Sequence, residues 1–361
     1  MGKCLIVSMF SRQETGYASH YTDSLKAQGA DYDILYFERY QAPSRQADNE
    51  LVFFRFCPTG GSRFRKLGIM AEYAAFIRRS LRKGSYTHVI VLTTVPAVFL
   101  WDLLLKDFRG RYILDIRDYT HEQNPLYYAL VSRLVAGAAW TALSSGAFRR
   151  FLPERGTYLL THNIPRHYVC RSDVSMAERP VIGFVGSVRY FEENRALIRQ
   201  ITASGRYRLA YYGTTTRGCD LEGFCRAEGI VDVAFYGPYD NAQKGTLYEN
   251  IHIINAIYGL NGLETTTAIP NRLYDAAIYR CPILVSKGTY LQEVVEHYGL
   301  GLAVDIHRED VPAALDAYLR RFDPDAFLQG CDALLRETEQ DMAVFRERVD
   351  RFASDVKGGI V

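Results

Sequence analysis

A chain of 361 residues, 48% hydrophobic and 23% charged, exceeds one ordinary domain and is apolar enough for two packed cores, which excludes a disordered or low-complexity protein. Its net charge of +2 hides an asymmetry: residues 1–170 carry 22 Lys+Arg against 14 Asp+Glu, whereas residues 171–361 carry 21 against 27 and are net acidic. No apolar run reaches the ~18 residues of a membrane span, no nucleic-acid motif accompanies the basic half, and the cysteines (4, 57, 170, 219, 225, 281, 331) have no metal-ligand spacing.

The amino terminus runs from Met1-Gly2-Lys3 into a strand-like segment without the pattern of a signal peptide, so a reduced, cytoplasmic protein is expected. Strands are predicted at 4–9, 33–37, 51–56, 88–92, 112–116, 141–143 and 158–160. Helices are predicted between them at 18–28, 65–82, 97–106 and 127–136. Such alternation predicts a doubly wound parallel sheet. The basic excess gathers in Arg55, Arg63, Arg65, Lys66, Arg78, Arg79, Arg82 and Lys83, interleaved at helical spacing with Phe64, Leu67, Ile69, Met70, Tyr73, Phe76 and Ile77. A basic amphipathic helix suits an anionic membrane surface; the alternative is an ordinary helix whose apolar stripe packs on the sheet.

Residues 166–179, polar and aperiodic, read as a linker. The strand pattern restarts at 181–185 and recurs at 208–212, 233–236, 251–256, 283–285 and 301–304, and a helical tail from 311 to about 355 breaks near Asp323-Pro324. Two Rossmann-like domains follow, at 1–165 and 180–340, with a last helical segment at 341–361. Ligands in such sheets sit beyond the carboxyl ends of the strands.

Residues 270–305 carry the most chemistry. Asn271 and Arg272 open a helix bearing Asp275, and a buried strand then leads through Lys287-Gly288-Thr289-Tyr290 into a second helix. A helix start after a parallel strand offers free N–H groups and a partial positive charge suited to phosphate, and a carboxylate at Asp275 suits ribose hydroxyls. Gly186-Ser187-Val188-Arg189 follows the first strand of the second half. There glycine permits close backbone approach and an arginine can fork onto a diphosphate. Asp115, Arg117, Asp118 and His121 end a strand of the first half, where Asp115–Arg117 or Arg117–Asp118 pairing is the structural alternative to a binding role.

These segments resemble the retaining, GT-B-fold glycosyltransferases of family 4, of the capsular or exopolysaccharide type, most clearly across 180–305. The resemblance implies an α/β GT-B architecture of two Rossmann-like doubly wound domains facing a central cleft, the first binding acceptor and the second a nucleotide sugar, with the last helix crossing back to the first domain. It implies diphosphate contacts from Arg189 and Arg195, loop contacts from Gly16, Gly186, Ser187, Gly237 and Tyr239, and ribose held by Asp275. Asn271, Arg272, Lys287, Gly288, Thr289 and Tyr290 complete the donor side. Asp118 and His121 are the acceptor-side candidates. Where the family carries the first glutamate of its E-x7-E motif this chain has Thr267, which leaves Glu264 as the nearby substitute. Arg280-Cys281 replaces the usual glycine before the strand.

The function so implied is retaining transfer of a sugar from a nucleotide diphosphate sugar, UDP first and GDP second, to a glycan or lipid-linked oligosaccharide. No metal or other cofactor is expected, no nucleic acid partner, and a location on the inner face of the plasma membrane. In the family, retention is attributed to front-face attack with the acceptor proton passing to a donor phosphate oxygen. A nucleotide-sugar epimerase of the same fold and a non-catalytic nucleotide-binding scaffold are the alternatives.

Overall fold

In the computed structural model, which describes residues 2–40, 46–57, 63–216 and 218–359, the chain divides into two compact units. One comprises Met1–His162 with Gln340–Val361, the other Asn163–Glu339.

Among the described residues the first unit has β1 (Lys3–Ser8), β2 (Asp31–Glu38), β3 (Glu50–Phe54), β4 (His88–Leu92), β5 (Tyr112–Ile116), β6 (Trp140–Leu143) and β7 (Tyr158–Leu160). All are parallel, in the order β3-β2-β1-β4-β5-β6-β7. The second unit has β8 (Val181–Val185), β9 (Arg208–Tyr212), β10 (Val233–Gly237), β11 (Ile253–Ala256), β12 (Ile283–Ser286) and β13 (Gly301–Val304), parallel in the order β10-β9-β8-β11-β12-β13. Leu5, Ile6, Val7 and Val89–Leu92 are fully buried, which is why these central strands read as unbroken apolar runs rather than alternating ones. The strand order of each sheet reverses once, between β1 and β4 and between β8 and β11, and ligands of open α/β sheets bind outside the carboxyl ends of strands at that point.

Local chemistry sets the helix ends. Asn124 accepts hydrogen bonds from the N–H groups of Leu126 and Tyr127, and Pro125 opens the helix Pro125–Gly137. The helix expected at 97–106 is instead two, Thr94–Phe99 and Trp101–Asp107, joined at Leu100. It begins early because Pro96 falls within the first turn, where its missing N–H is not needed.

The basic helix Arg63–Lys83 corrects the stripe read from the sequence. Ile69, Tyr73, Ile77 and Leu81 are buried in the core, with Tyr73 stacked on Phe37 at 5.2 Å and donating to the Ser8 carbonyl. Phe64 and Leu67, counted with that stripe, are 85% and 66% exposed.

Asp323 caps the helix Pro324–Gly358 through the N–H groups of Asp325 and Ala326. In the first unit this helix buries Met342, Phe345, Val349, Phe352 and Val356 at helical spacing, with Phe345 edge-on to Tyr21 and Trp140. No described helix is long and apolar enough to cross a membrane.

Candidate functional site: a glycine shelf and a buried polar network in the second unit

Three neighbouring strands of the second unit end in glycine with positive φ: Gly186 after β8 (138°), Gly213 after β9 (136°) and Gly237 closing β10 (70°). The crossing at Gly213 is the tightest, because a Cβ there would lie 1.8 Å from the Gly186 carbonyl oxygen. Beyond the glycines the two loops pair like a short ladder: the Val188 N–H donates to the Thr214 carbonyl at 3.0 Å and the Thr216 N–H to the Val188 carbonyl at 3.0 Å.

The turn that follows is strained, since Tyr190 adopts φ 61° and ψ 67° without being glycine. Asn194, fully buried in the helix Phe191–Ser204, holds it. Its Nδ2 donates to the carbonyls of Arg189 (2.8 Å) and Tyr190 (3.0 Å). Its Oδ1 accepts from the Tyr211 hydroxyl at 3.0 Å and from Asn255 Nδ2 at 3.2 Å. Buried amides with every group partnered are costly to disturb, so the Arg189 backbone is fixed. The Arg189 side chain is exposed and has no hydrogen-bond or ion-pair partner among the described residues. Ser187 is exposed on the same loop. Asn194 and Asn255 were not foreseen; a buried asparagine inside a helix or strand has the same local sequence as an exposed one.

The network continues into the helix Asn271–Ile278. The Arg272 guanidinium lies 3.9 Å from the centroid of the Phe184 ring, and donates to the Asn255 carbonyl at 2.8 Å and the Tyr258 hydroxyl at 2.5 Å. It is 7% exposed and directed into the unit. Asn271 is exposed and accepts from Asn163 Nδ2 at 3.1 Å.

Asp275 is 3% exposed. Lys244 Nζ lies 2.7 Å from both its carboxylate oxygens, and the Tyr248 hydroxyl donates to Oδ2 at 2.9 Å. Burial raises its pKa above the ordinary carboxylate value, opposed by Lys244, Tyr248 and Arg272. Half-buried Tyr239 feels the same carboxylate: burial and then Asp275 raise its pKa. Lys244 and Tyr248 are further residues that the sequence reading missed.

The remaining donor-side candidates are dispersed in role. Lys287 is paired with Glu309. The Gly288 N–H (φ 81° at this residue) donates to Gln292 Oε1 at 2.7 Å. Thr289 caps the helix Tyr290–Tyr298 by accepting from the Gln292 N–H, so part of that helix start is satisfied internally. Arg195 pairs with Glu192 one helical turn away. Glu264 is exposed on the short helix Leu263–Thr267; burial and then Tyr258 raise the Tyr190 pKa, and the Glu264 carboxylate adds to the rise. Thr267 is buried and its hydroxyl donates to the Leu263 carbonyl.

Tyr190, Tyr258, Arg272, Asp275 and Tyr239 therefore form one connected group, with Arg189 beside Tyr190. A cavity of about 600 Å³ in the same unit, lined by Arg208, Tyr212, Tyr236, Glu249 and His252, includes none of the donor-side or acceptor-side candidates named above.

In the first unit, Asp115 is fully buried between Arg117 (Nε to Oδ1 3.0 Å) and the Tyr21 hydroxyl (2.7 Å), and Arg117 stacks 4.0 Å from the centroid of Tyr17. Asp118 and His121 are exposed; Asp118 bears electrostatically on Tyr17, and His121 meets Tyr127 edge-on at 5.5 Å. Buried Glu122, not singled out from the sequence, ties their loop down by accepting from the Thr120 N–H at 2.7 Å and the Thr94 hydroxyl at 3.0 Å. Gly16 lies in the one-turn helix Gly16–Ala18 with no positive φ and open space beside its Cα, so nothing among the described residues demands glycine there. Among the described residues no group of His, Cys, Asp and Glu is placed to hold a metal ion.

No protein-family model matches the chain, and no curated protein matches it. Solved structures do. Sucrose-phosphate synthase of Thermosynechococcus elongatus superposes with a TM-score of 0.66 at 13% identity, covering 100% of this chain and 97% of that one. Anabaena HepE, solved in complex with UDP and glucose, gives 0.65 at 13% identity over 98% and 100%. A UDP-forming α,α-trehalose-phosphate synthase from Burkholderia xenovorans gives 0.63 at 12% identity over 99% and 100%. The chain has the GT-B fold, two parallel-sheet α/β units in the manner of these glycosyltransferases.

Proposed function

We propose that the protein is a glycosyltransferase that takes a sugar from a nucleotide diphosphate sugar, UDP-linked in first preference and GDP-linked in second, and passes it with retention to a glycan or lipid-linked oligosaccharide of the cell surface, as in family 4. The observation that carries this reading is Arg189. An arginine whose side chain has no hydrogen-bond or ion-pair partner among the described residues stands on a glycine shelf at the strand-order reversal of the second sheet, where a diphosphate is the natural complement. HepE and the trehalose-phosphate synthase, one solved with UDP and glucose and one named as UDP-forming, support the choice of UDP.

In this mechanism Arg189 stabilises the charge that develops on the leaving diphosphate, the work that fixed donors do best in a site that needs no reorganisation. Asp275 orients the ribose, and Glu264 receives hydroxyls of the donor sugar in place of the missing glutamate. Asp118 and His121, on the loop that Glu122 anchors, receive the acceptor. No resident metal enters the reaction.

The direct test is thermal unfolding with UDP, GDP, ADP and their sugars. A nucleoside diphosphate bound to the folded state at a hundredfold excess over Kd adds about 2.7 kcal/mol. UDP is expected to shift the melting transition most, and the absence of a shift with every nucleotide would remove the reading.

The partner surface of the first unit is proposed to be anionic lipid. Phe64 and Leu67 are exposed beside Arg65 and Lys66, and each basic residue near such a surface contributes about 1 kcal/mol. Sedimentation with phosphatidylserine-containing vesicles should succeed at low salt and fail with phosphatidylcholine alone. A double Phe64→Asp, Leu67→Asp variant should lose it with an unchanged melting temperature. Equal binding by that variant would exclude this surface.

A further inference from the structure

We propose that Lys244 is a positioning residue for the nucleotide: its ammonium, held across both carboxylate oxygens of Asp275, keeps that buried side chain in the charged form that ribose hydroxyls require. The inference rests on the reading of the second unit as a nucleotide site.

The geometry carries it. A carboxylate 3% exposed is expensive to keep charged unless it is paired and hydrogen-bonded. Lys244 Nζ, 2.7 Å from each oxygen, is the cation in direct contact, and it reaches Asp275 from the separate helix Lys244–Glu249. The other groups facing Asp275 cannot replace it. Tyr248, from the same helix as Lys244, is a neutral donor with its pKa pushed well up by burial. Tyr239, Tyr279 and Cys281 are neutral groups with raised pKa values that the carboxylate itself helps to raise. Arg272 acts on Asp275 only through space, its guanidinium being committed to Asn255, Tyr258 and the Phe184 ring.

A carboxylate offers about four lone-pair sites, of which Lys244 and Tyr248 occupy three; one ribose hydroxyl takes the fourth, and a second displaces part of the ammonium while its charge stays nearby. Lys244 is itself partly open to solvent, with 18% of its side chain exposed, and has room to give way.

The sign follows from linkage. Burial already raises the Asp275 pKa and Lys244 opposes the rise, so removing the lysine raises it further. Protons then compete with ribose at a higher pH in the variant than in wild type.

The experiment is calorimetric titration with UDP from pH 5.5 to 8.5 on wild type, Lys244→Met, Lys244→Arg and Asp275→Asn. Taking each variant as a ratio to wild type cancels the titration of the UDP phosphate. The Lys244→Met ratio should worsen as pH falls, by at most about tenfold per pH unit and no further than the level of Asp275→Asn. Lys244→Arg should restore the wild-type profile. The Asp275→Asn ratio should be weak and flat, and adding Lys244→Met to it should introduce no new pH dependence. A merely structural lysine would weaken binding equally at all pH values; that outcome, or a Lys244→Met profile matching wild type, overturns the proposal. Failure of wild type itself to bind UDP at any pH would instead overturn the nucleotide reading on which it rests.

Discussion

Arg189→Ala should lower donor turnover by about 10²- to 10³-fold, the range found when one fixed donor to a developing negative charge is removed. Its melting temperature should stay within about 1–2 °C of wild type, because a surface substitution away from buried features changes stability by no more than about 0.5 kcal/mol. The two expectations separate because the side chain and the backbone of Arg189 have different tasks. The carbonyl accepts from Asn194 and survives in alanine, so the strained Tyr190 turn keeps its anchor. The guanidinium has no partner among the described residues, so its removal leaves no buried group unsatisfied.

Release of nucleotide from the donor in water, followed with acceptor absent, measures the effect on the leaving-group side alone. The conservative Arg189→Lys variant would keep the charge but lose the two-pronged geometry, and should recover only part of the rate. Turnover by Arg189→Ala within about threefold of wild type, less than about 1 kcal/mol of barrier, would remove Arg189 from the chemistry.

The architecture was legible because parallel strands are the least ambiguous objects in such a sequence. The segments 88–92, 112–116, 158–160, 181–185, 208–212 and 301–304 coincide with β4, β5, β7, β8, β9 and β13, each a short, mainly apolar run. Edges blurred where capping intervened: β11 starts at Ile253 rather than 251, since His252 is drawn to the start of β8, where its N–H donates to the Val181 carbonyl and its ring accepts from the Val181 N–H.

The polar interior of the second unit was not legible, and the reason is distance along the chain. Asn194 meets Asn255 across 61 residues, and Lys244 meets Asp275 across 31, so neither pair leaves a local signature. Arg272, read as a cation near a candidate phosphate loop, has its guanidinium committed to Asn255, Tyr258 and the Phe184 ring. Phe184, at the core of β8, supplies a ring face that the sequence could not place beneath it.

Gly213→Ala should be among the most damaging single substitutions in the second unit, lowering its stability by at least about 3 kcal/mol, a sum of strain and clash. At about 2–4 °C per kcal/mol for a domain of this size, the melting temperature should fall by roughly 6–12 °C. The added Cβ would stand 1.8 Å from the Gly186 carbonyl oxygen, with the backbone already at φ 136°.

Neither chain segment can retreat cheaply. The Gly186 N–H donates to the Tyr212 carbonyl at 2.9 Å and the Gly213 N–H to the Gly237 carbonyl at 2.7 Å, so moving either one breaks a strand-end bond. Gly186→Ala is the internal comparison. Its φ is nearly the same at 138°, yet its Cβ would meet open space, so only the strain of about 1–3 kcal/mol applies.

The difference between the two variants isolates the crossing from the dihedral. Because the shelf carries the loop of Arg189, Gly213→Ala should also lose nucleotide binding at temperatures where it remains folded, which circular dichroism and calorimetry on the same sample would report together. Melting of Gly213→Ala at or above that of Gly186→Ala would mean that the two strand ends do not meet as closely as the geometry requires, and the shelf that presents Arg189 would have to be abandoned.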